Sequence, residues 1–250
     1  MNNVLRTFML LVMVFPVFNF SGEKIVYESK PIMIAELFTS EGCSSCPSAE
    51  QLLKEMADMT SKETVAVVGL AFHITYWDQL GWKDPYSQPE FTSRQKKYDQ
   101  YLTTQQYTPQ VVVNGEFEFV GGNVIAFRDA ISKAAGTPYY FSLAATATRS
   151  NNQITIDYSV DKKSKSELLN VALIETSIEN HVKNGENKNR VLKHYNVVRK
   201  FQTVDLEPSG KLTLKSPPDL DLNKCELVLY VQHRRNLKVM GASHIVMKQE

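Results

Sequence analysis

The chain has 250 residues, 43% of them hydrophobic, and 28 Lys and Arg against 27 Asp and Glu give it a formal net charge of +1. So even a balance, with only short basic clusters at Lys96-Lys97 and Arg234-Arg235, excludes a nucleic-acid footprint. The length allows one large domain or two modest ones, and three cysteines in so long a chain exclude a disulfide framework.

At the N-terminus Arg6 precedes FMLLVMVFPVF (Phe8 to Phe18), an apolar run too short to span a bilayer comfortably, and then the polar NFSGEK. This pattern predicts a signal peptide over residues 1–22 and an exported protein, periplasmic or secreted, in an oxidising compartment. The alternative is an uncleaved anchor, the only case in which the chain meets a membrane.

From Ile32, IMIAELF predicts a strand, TSEG a turn, and the residues after Cys43-Ser-Ser-Cys46 a helix, with Ala49, Leu52, Leu53, Met56 and Ala57 on one face. Pro47 falls in the first turn, where a missing donor costs least. TVAVVGLAF (Thr64 to Phe72) predicts a buried parallel strand, and Glu90 to Leu102 an amphipathic helix. Asn114-Gly115 between two β-rich runs predicts a hairpin, and NVIAFRDAISKAAG a helix ending at Gly136. Beyond Thr137-Pro138, seven short strand-like runs with polar turns predict an antiparallel sandwich. The expected architecture is therefore an α/β domain over 31–136 followed by an all-β domain over 138–250.

Cys43 and Cys46 enclose a ring too short for a useful structural staple, because short loops add the least stability. At a helix N-terminus the unpaired amides and the positive dipole end favour thiolate over thiol. Cys43, expected to be the more exposed, would attack a substrate thiol or disulfide, and Cys46 would resolve the mixed disulfide. Cys225, in CELVLYV, is expected to be a buried core thiol. AFHITYWDQLGWKDP begins where the second strand ends, the place where ligands gather in open α/β sheets. His73, Tyr76, Trp77 and Asp78 are thus candidate substrate-binding residues, and His73 is suited to stabilise the thiolate or shuttle a proton. The competing reading is structural: tryptophans anchoring the loop and a hydrogen-bonded His73. In NGENKNRVLKHYNVVRKF, the polar Glu186, Asn187, Arg190, His194 and Arg199 suggest either a docking surface or a hydrogen-bonded strand connection.

The β-α-β-α-β-β-α order with C-x-x-C between strand and helix resembles the thioredoxin superfamily. That resemblance implies a cis peptide at Thr108-Pro109 facing the cysteines. It also implies a buried carboxylate, Glu36, accepting the Cys46 proton as the mixed disulfide resolves. The sequence departs from thioredoxin in having Gly42 before the first cysteine, Ser44-Ser45 between the pair, and a long interval before Pro109. The segments ELFTSEGCSSCP, AFHITYWDQLGWKDP, YTPQVVVNG and NGENKNRVLKHYNVVR together resemble an exported bacterial thioredoxin-like family classified as a domain of unknown function. The expected activity is that of a thiol–disulfide oxidoreductase with catalytic Cys43, Cys46, Glu36, Thr108 and Pro109. It acts on protein or small thiols with a redox recycling partner, and no cofactor or metal ligand is assigned. The alternatives are a soft-metal (copper) protein using the same cysteines, with or without His73, and a non-catalytic adaptor with a permanent disulfide. No nucleotide-binding loop and no Ser/His/Asp arrangement is present.

Overall fold

The computed structural model describes residues 32–61, 63 and 65–247, so the predicted signal peptide lies outside the described residues. In chain order the elements are β1 (Ile32–Thr39), α1 (Cys46–Thr60), β2 (Ala66–His73), α2 (Pro89–Leu102), β3 (Gln110–Val113), β4 (Phe117–Val120) and α3 (Val124–Ala135). After them come β5 (Leu143–Ser150), β6 (Gln153–Val160), β7 (Glu167–His181), β8 (Val191–Asp205), β9 (Ser209–Lys215), β10 (Cys225–His233) and β11 (Val239–Val246).

The expectation of an α/β domain followed by a separate all-β sandwich is overturned. One mixed sheet of eight strands, ordered β11-β10-β7-β8-β2-β1-β3-β4, runs through both halves of the chain. Only β5, β6 and β9 form a second sheet. The join is a parallel contact of β8 with β2, where Ala71 pairs with Val197. Runs of alternating residues after Gly136 do form seven strands, as expected, but four of them extend the first sheet instead of building a sandwich of their own.

Every residue of β1 is buried, and its two faces serve different cores. Met33, Ala35 and Leu37 meet Ala49, Leu53 and Met56 of α1 and Phe127 of α3. Ile32, Ile34 and Phe38 meet Phe72, Phe91, Tyr98, Ile174 and Tyr230. A third core lies between the smaller sheet and the other face of β7 and β10, with Ile154, Ile156, Leu169, Leu173 and Leu227 at its centre. The predicted hairpin forms at Asn114-Gly115, both with positive φ (49° and 71°). Its tip bonds two strands at once: Asn114 donates N–H to Ile34 and accepts from the N–H of Val239. A Cβ on Gly115 would lie 1.9 Å from the Leu237 carbonyl oxygen, so only glycine permits this approach.

Glu36 sits on the even-numbered face of β1, in a buried polar cluster. The Arg94 Nη2 donates to Glu36 Oε1 at 2.7 Å, and Tyr98 and Tyr230 donate to the same oxygen at 2.6 and 3.2 Å. Gln232 and Asn170 continue the network. Burial works against the Arg94 charge, but Glu36 beside it holds the guanidinium pKa well above its usual value. Because a buried pair that loses one partner leaves an uncompensated charge, Glu36→Ala should lower unfolding free energy by about 3–5 kcal/mol. A urea midpoint unchanged from the parent protein would refute that.

Cys225 is the free cysteine among the described residues and is buried, its thiol pushed up to about 12 by burial. At neutral pH iodoacetamide should leave Cys225 unmodified in the native protein and alkylate it after guanidinium unfolding, as peptide mapping would show.

Candidate functional site

Beyond Thr39 the chain turns through Ser40–Ser45, closed by Cys43 N–H to Ser40 O at 3.1 Å and Cys46 N–H to Cys43 O at 3.3 Å. Cys46 is the first residue of α1, Pro47 follows, and neither a capping side chain nor an acidic residue occupies the first turn. The dipole end of α1 therefore points at the cysteines, with no acidic residue in the helix's own first turn. Cys43 and Cys46 are joined in a disulfide with Cα atoms 5.4 Å apart. A Cβ on Gly42 would lie 3.2 Å from Trp77 Cβ, so glycine before the first cysteine makes room for an aromatic supplied by the loop after β2.

Both cysteines are buried, Cys43 at 1% exposure and Cys46 at 0%, so the expected exposure of Cys43 is not met. The cover is the connection between β7 and β8. The buried Asn187 amide donates to the carbonyls of Glu41 (2.8 Å) and Cys43 (2.9 Å), and Glu186 accepts from the N–H of Ser44 at 3.0 Å. These bonds from Ser44 hold the exposed Glu186 carboxyl below its usual pKa. Arg190 donates to the Asn187 side-chain oxygen at 2.6 Å and so orients its amide. The strand connection is thus also a clamp over the cysteine loop.

Beneath the loop lies a cluster of buried carboxyl and imidazole groups. His194 of β8 reaches Glu50 Oε2 with Nδ1 at 2.7 Å and Glu41 Oε1 with Nε2 at 3.0 Å. Burial acts to lower the His194 pKa, but the Glu50 charge and the hydrogen bonds to Glu41 and Glu50 outweigh it and raise it to about 10. Glu41 also accepts from Asn180 (2.9 and 3.0 Å) and from the Trp82 indole (2.7 Å), and Glu50 Oε1 accepts from the Thr39 hydroxyl at 2.7 Å. His73, the last residue of β2, places Nδ1 2.7 Å from Asp84 Oδ2. Burial would raise the Asp84 pKa, but His73 and the N–H groups of Glu41 and Tyr86 bring it below the usual value. The His73 and His194 rings meet edge to face, 5.0 Å between centroids. Glu50, His73 and His194 each bring a ligand-type atom within 4.8 Å of the others, the one group among the described residues with metal-ligand character.

The sequence-predicted residues do not all come together. Thr108-Pro109 is cis, and the Trp77 indole donates to Thr108 Oγ1 at 2.7 Å while its Cβ borders Gly42, which draws this peptide toward the cysteine loop. A Cβ on Gly121 would meet both Pro109 Cβ (3.2 Å) and Ala49 Cβ (2.9 Å), placing Pro109 beside α1. His73 joins the buried cluster. Tyr76 packs into the apolar core, its hydroxyl raised to about 12 by burial. Asp78 accepts from Asp84 N–H and the Ser87 hydroxyl and so shapes the loop. Glu36 is not brought to the cysteines: strand alternation points it away from α1, toward Arg94. Sequence reasoning missed Glu41, Glu50, Asp84 and Asn187 as a group with His194. The legible signal was Glu50, a charge between Ala49 and Leu52 on the buried face of a helix.

No curated protein matches the chain. A crystal structure of a protein from Agrobacterium tumefaciens, solved by a structural-genomics consortium, is similar at 26% identity and a TM-score of 0.64, covering 89% of this chain and 99% of that one. A domain of the outer membrane lipoprotein Omp28 from Porphyromonas gingivalis matches at 13% identity and a TM-score of 0.28, over 43% of this chain and 95% of that chain, a likeness too low to carry an argument. The family described as "Protein of unknown function (DUF1223)" matches residues 34–232, and the chain belongs to it.

Proposed function

We propose that the chain is a thiol–disulfide oxidoreductase working through Cys43 and Cys46 in an exported compartment. The observation that carries the reading is the Cys43–Cys46 disulfide at the uncapped N-terminus of α1. In the oxidising direction a substrate thiolate attacks Cys43 Sγ, forming a mixed disulfide and expelling Cys46 as thiolate. A second substrate thiolate then attacks its own sulfur in the mixed disulfide and expels Cys43. The substrate gains a disulfide, the protein gains two electrons, and the substrate's two protons pass to the departing thiolates or to solvent. A recycling thiol–disulfide partner restores the pair, and the reverse sequence reduces a substrate disulfide. The amide dipoles at the start of α1 stabilise the leaving thiolate in either direction. The kinship we infer with thioredoxin-type enzymes is local, resting on the strand, C-x-x-C, helix and Thr108-Pro109, and concerns chemistry instead of architecture.

A second reading, a non-catalytic adaptor with a permanent disulfide, is favoured by the burial of both cysteines beneath Asn187. Purified protein incubated with a reduced dithiol peptide should be reduced while one peptide disulfide forms per chain, and a Cys46→Ser variant should accumulate a mixed disulfide through Cys43. Complete inertness in both directions under native conditions would sink the enzyme reading and leave the adaptor.

The clamp sets the rate. Two hydrogen bonds from Asn187, each contributing about 0.5–1.5 kcal/mol, hold the loop closed over the sulfurs. Asn187→Ala should therefore accelerate reduction of the disulfide by dithiothreitol on the order of tenfold, followed by quenched alkylation, whereas an equal or slower rate would show that the clamp does not control access.

A further inference from the structure

In the buried cluster, the side-chain nitrogen and oxygen atoms of Glu41, Glu50, Asp84 and His194 all have hydrogen-bond partners. His73 Nε2 has none, although His73 is 0% exposed. Its other nitrogen faces Asp84 Oδ2, an oxygen that also accepts from the N–H of Glu41 at 2.8 Å. Asp84 acts there as an acceptor, so Nδ1 donates to it, and in the neutral imidazole Nε2 is the nitrogen left to bind a ligand. A buried lone pair without a donor is costly unless something binds it.

We propose that His73, His194 and Glu50 bind a divalent transition-metal ion of the zinc type. Two imidazoles and one carboxylate are donors of the kind that zinc takes, and three protein ligands leave one tetrahedral position for water. With metal–ligand bonds of about 2.0–2.1 Å, tetrahedral donors stand about 3.3 Å apart. The three ligand atoms already lie within 4.8 Å of one another, so no pair has to close by more than about 1.5 Å. The groups around the donors match what metal sites require. Metal-bound imidazoles hold their second nitrogen on a carboxylate, and here Asp84 holds His73 and Glu41 holds His194. Thr39 fixes the other oxygen of Glu50. Glu41, Glu50 and Asp84 pair with imidazoles and with no Lys or Arg among the described residues. A divalent ion that binds the imidazoles displaces any proton they carry and takes its place beside the carboxyl groups.

The cysteines are not ligands here, because a disulfide offers no thiolate. The metal site and the proposed thiol chemistry therefore stand or fall separately.

The test uses the purified protein, stripped with a chelator and titrated with Co2+ and then Zn2+. One Co2+ per chain should bind, with visible ligand-field bands and no thiolate charge-transfer band, and Zn2+ should displace it. His73→Ala and Glu50→Gln should abolish stoichiometric binding, and Asp84→Asn should weaken it about 10- to 100-fold. A Cys43→Ser/Cys46→Ser variant should lose thiol exchange and keep the Co2+ spectrum. Circular dichroism identifies any variant that fails to fold, and Glu50→Gln, which keeps side-chain volume and the Thr39 bond, decides where His73→Ala does not fold. Absence of one-to-one binding in the parent protein would overturn the proposal. So would binding that survives Glu50→Gln, or binding that vanishes with the cysteines.

Discussion

His194, held between Glu41 and Glu50, is the contact on which the site is built. Its two partners stand on either side of the cysteines, Glu41 two residues before Cys43 and Glu50 four after Cys46, so one imidazole from β8 fixes both ends of the disulfide segment. Breaking a buried charged pair by removing one member costs about 3–5 kcal/mol, so the three residues behave as one unit. The raised pKa of His194, about 10, has the same origin: the two carboxyl groups favour imidazolium more than burial opposes it. Thr39, Asn180 and Trp82 complete the hydrogen bonding of the carboxyl groups, so few alternative arrangements compete. The cysteine loop, the start of α1 and β8 are positioned together.

Alternation along β1 explains why two buried polar clusters coexist a few residues apart without merging. Glu36 points to the face that holds Arg94, Tyr98 and Tyr230, whereas Thr39 points to the face that holds α1 and Glu50. A one-residue slip in register would exchange the faces and bury each carboxylate against the wrong partners. The first cluster ties β1 to α2 and β10, and the second ties the end of β1 to α1 and β8. Together they join the two halves of the chain on both faces of a single strand.

Local features were legible in the sequence and long-range ones were not. The period of Ala49, Leu52, Leu53 and Met56 reported α1, and Asn114-Gly115 reported the hairpin. Each signal spans fewer than about a dozen residues, within reach of turn and helix physics. The continuous sheet was hidden because β8 meets β2 by a single paired position, and no local rule distinguishes that edge from the edge of an independent sandwich. Glu36 was assigned to the cysteines because its burial was readable while its facing was not: that depends on Arg94, 58 residues away. His194 was grouped with its neighbours in sequence and not with Glu41 and Glu50, since the bonds that unite the three cross 144 and 153 positions.

The connection from β7 to β8 links access and architecture. Asn180 near its start holds Glu41, Asn187 within it covers Cys43, and His194 just after it reaches Glu50. Opening the clamp therefore has two parts of unequal strength. Asn187 acts through buried bonds between neutral groups and Glu186 through an exposed one, each contributing about 0.5–1.5 kcal/mol when both partners are neutral. The contacts of Asn180, part-buried, and of His194, buried, go to carboxyl groups and are charge-assisted, roughly twice as strong. On these strengths the middle of the connection is held more weakly over the sulfurs than its two ends are held to the buried cluster. In the proposed exchange the disulfide is reached by lifting a short loop, and the polar groups beneath it remain assembled throughout.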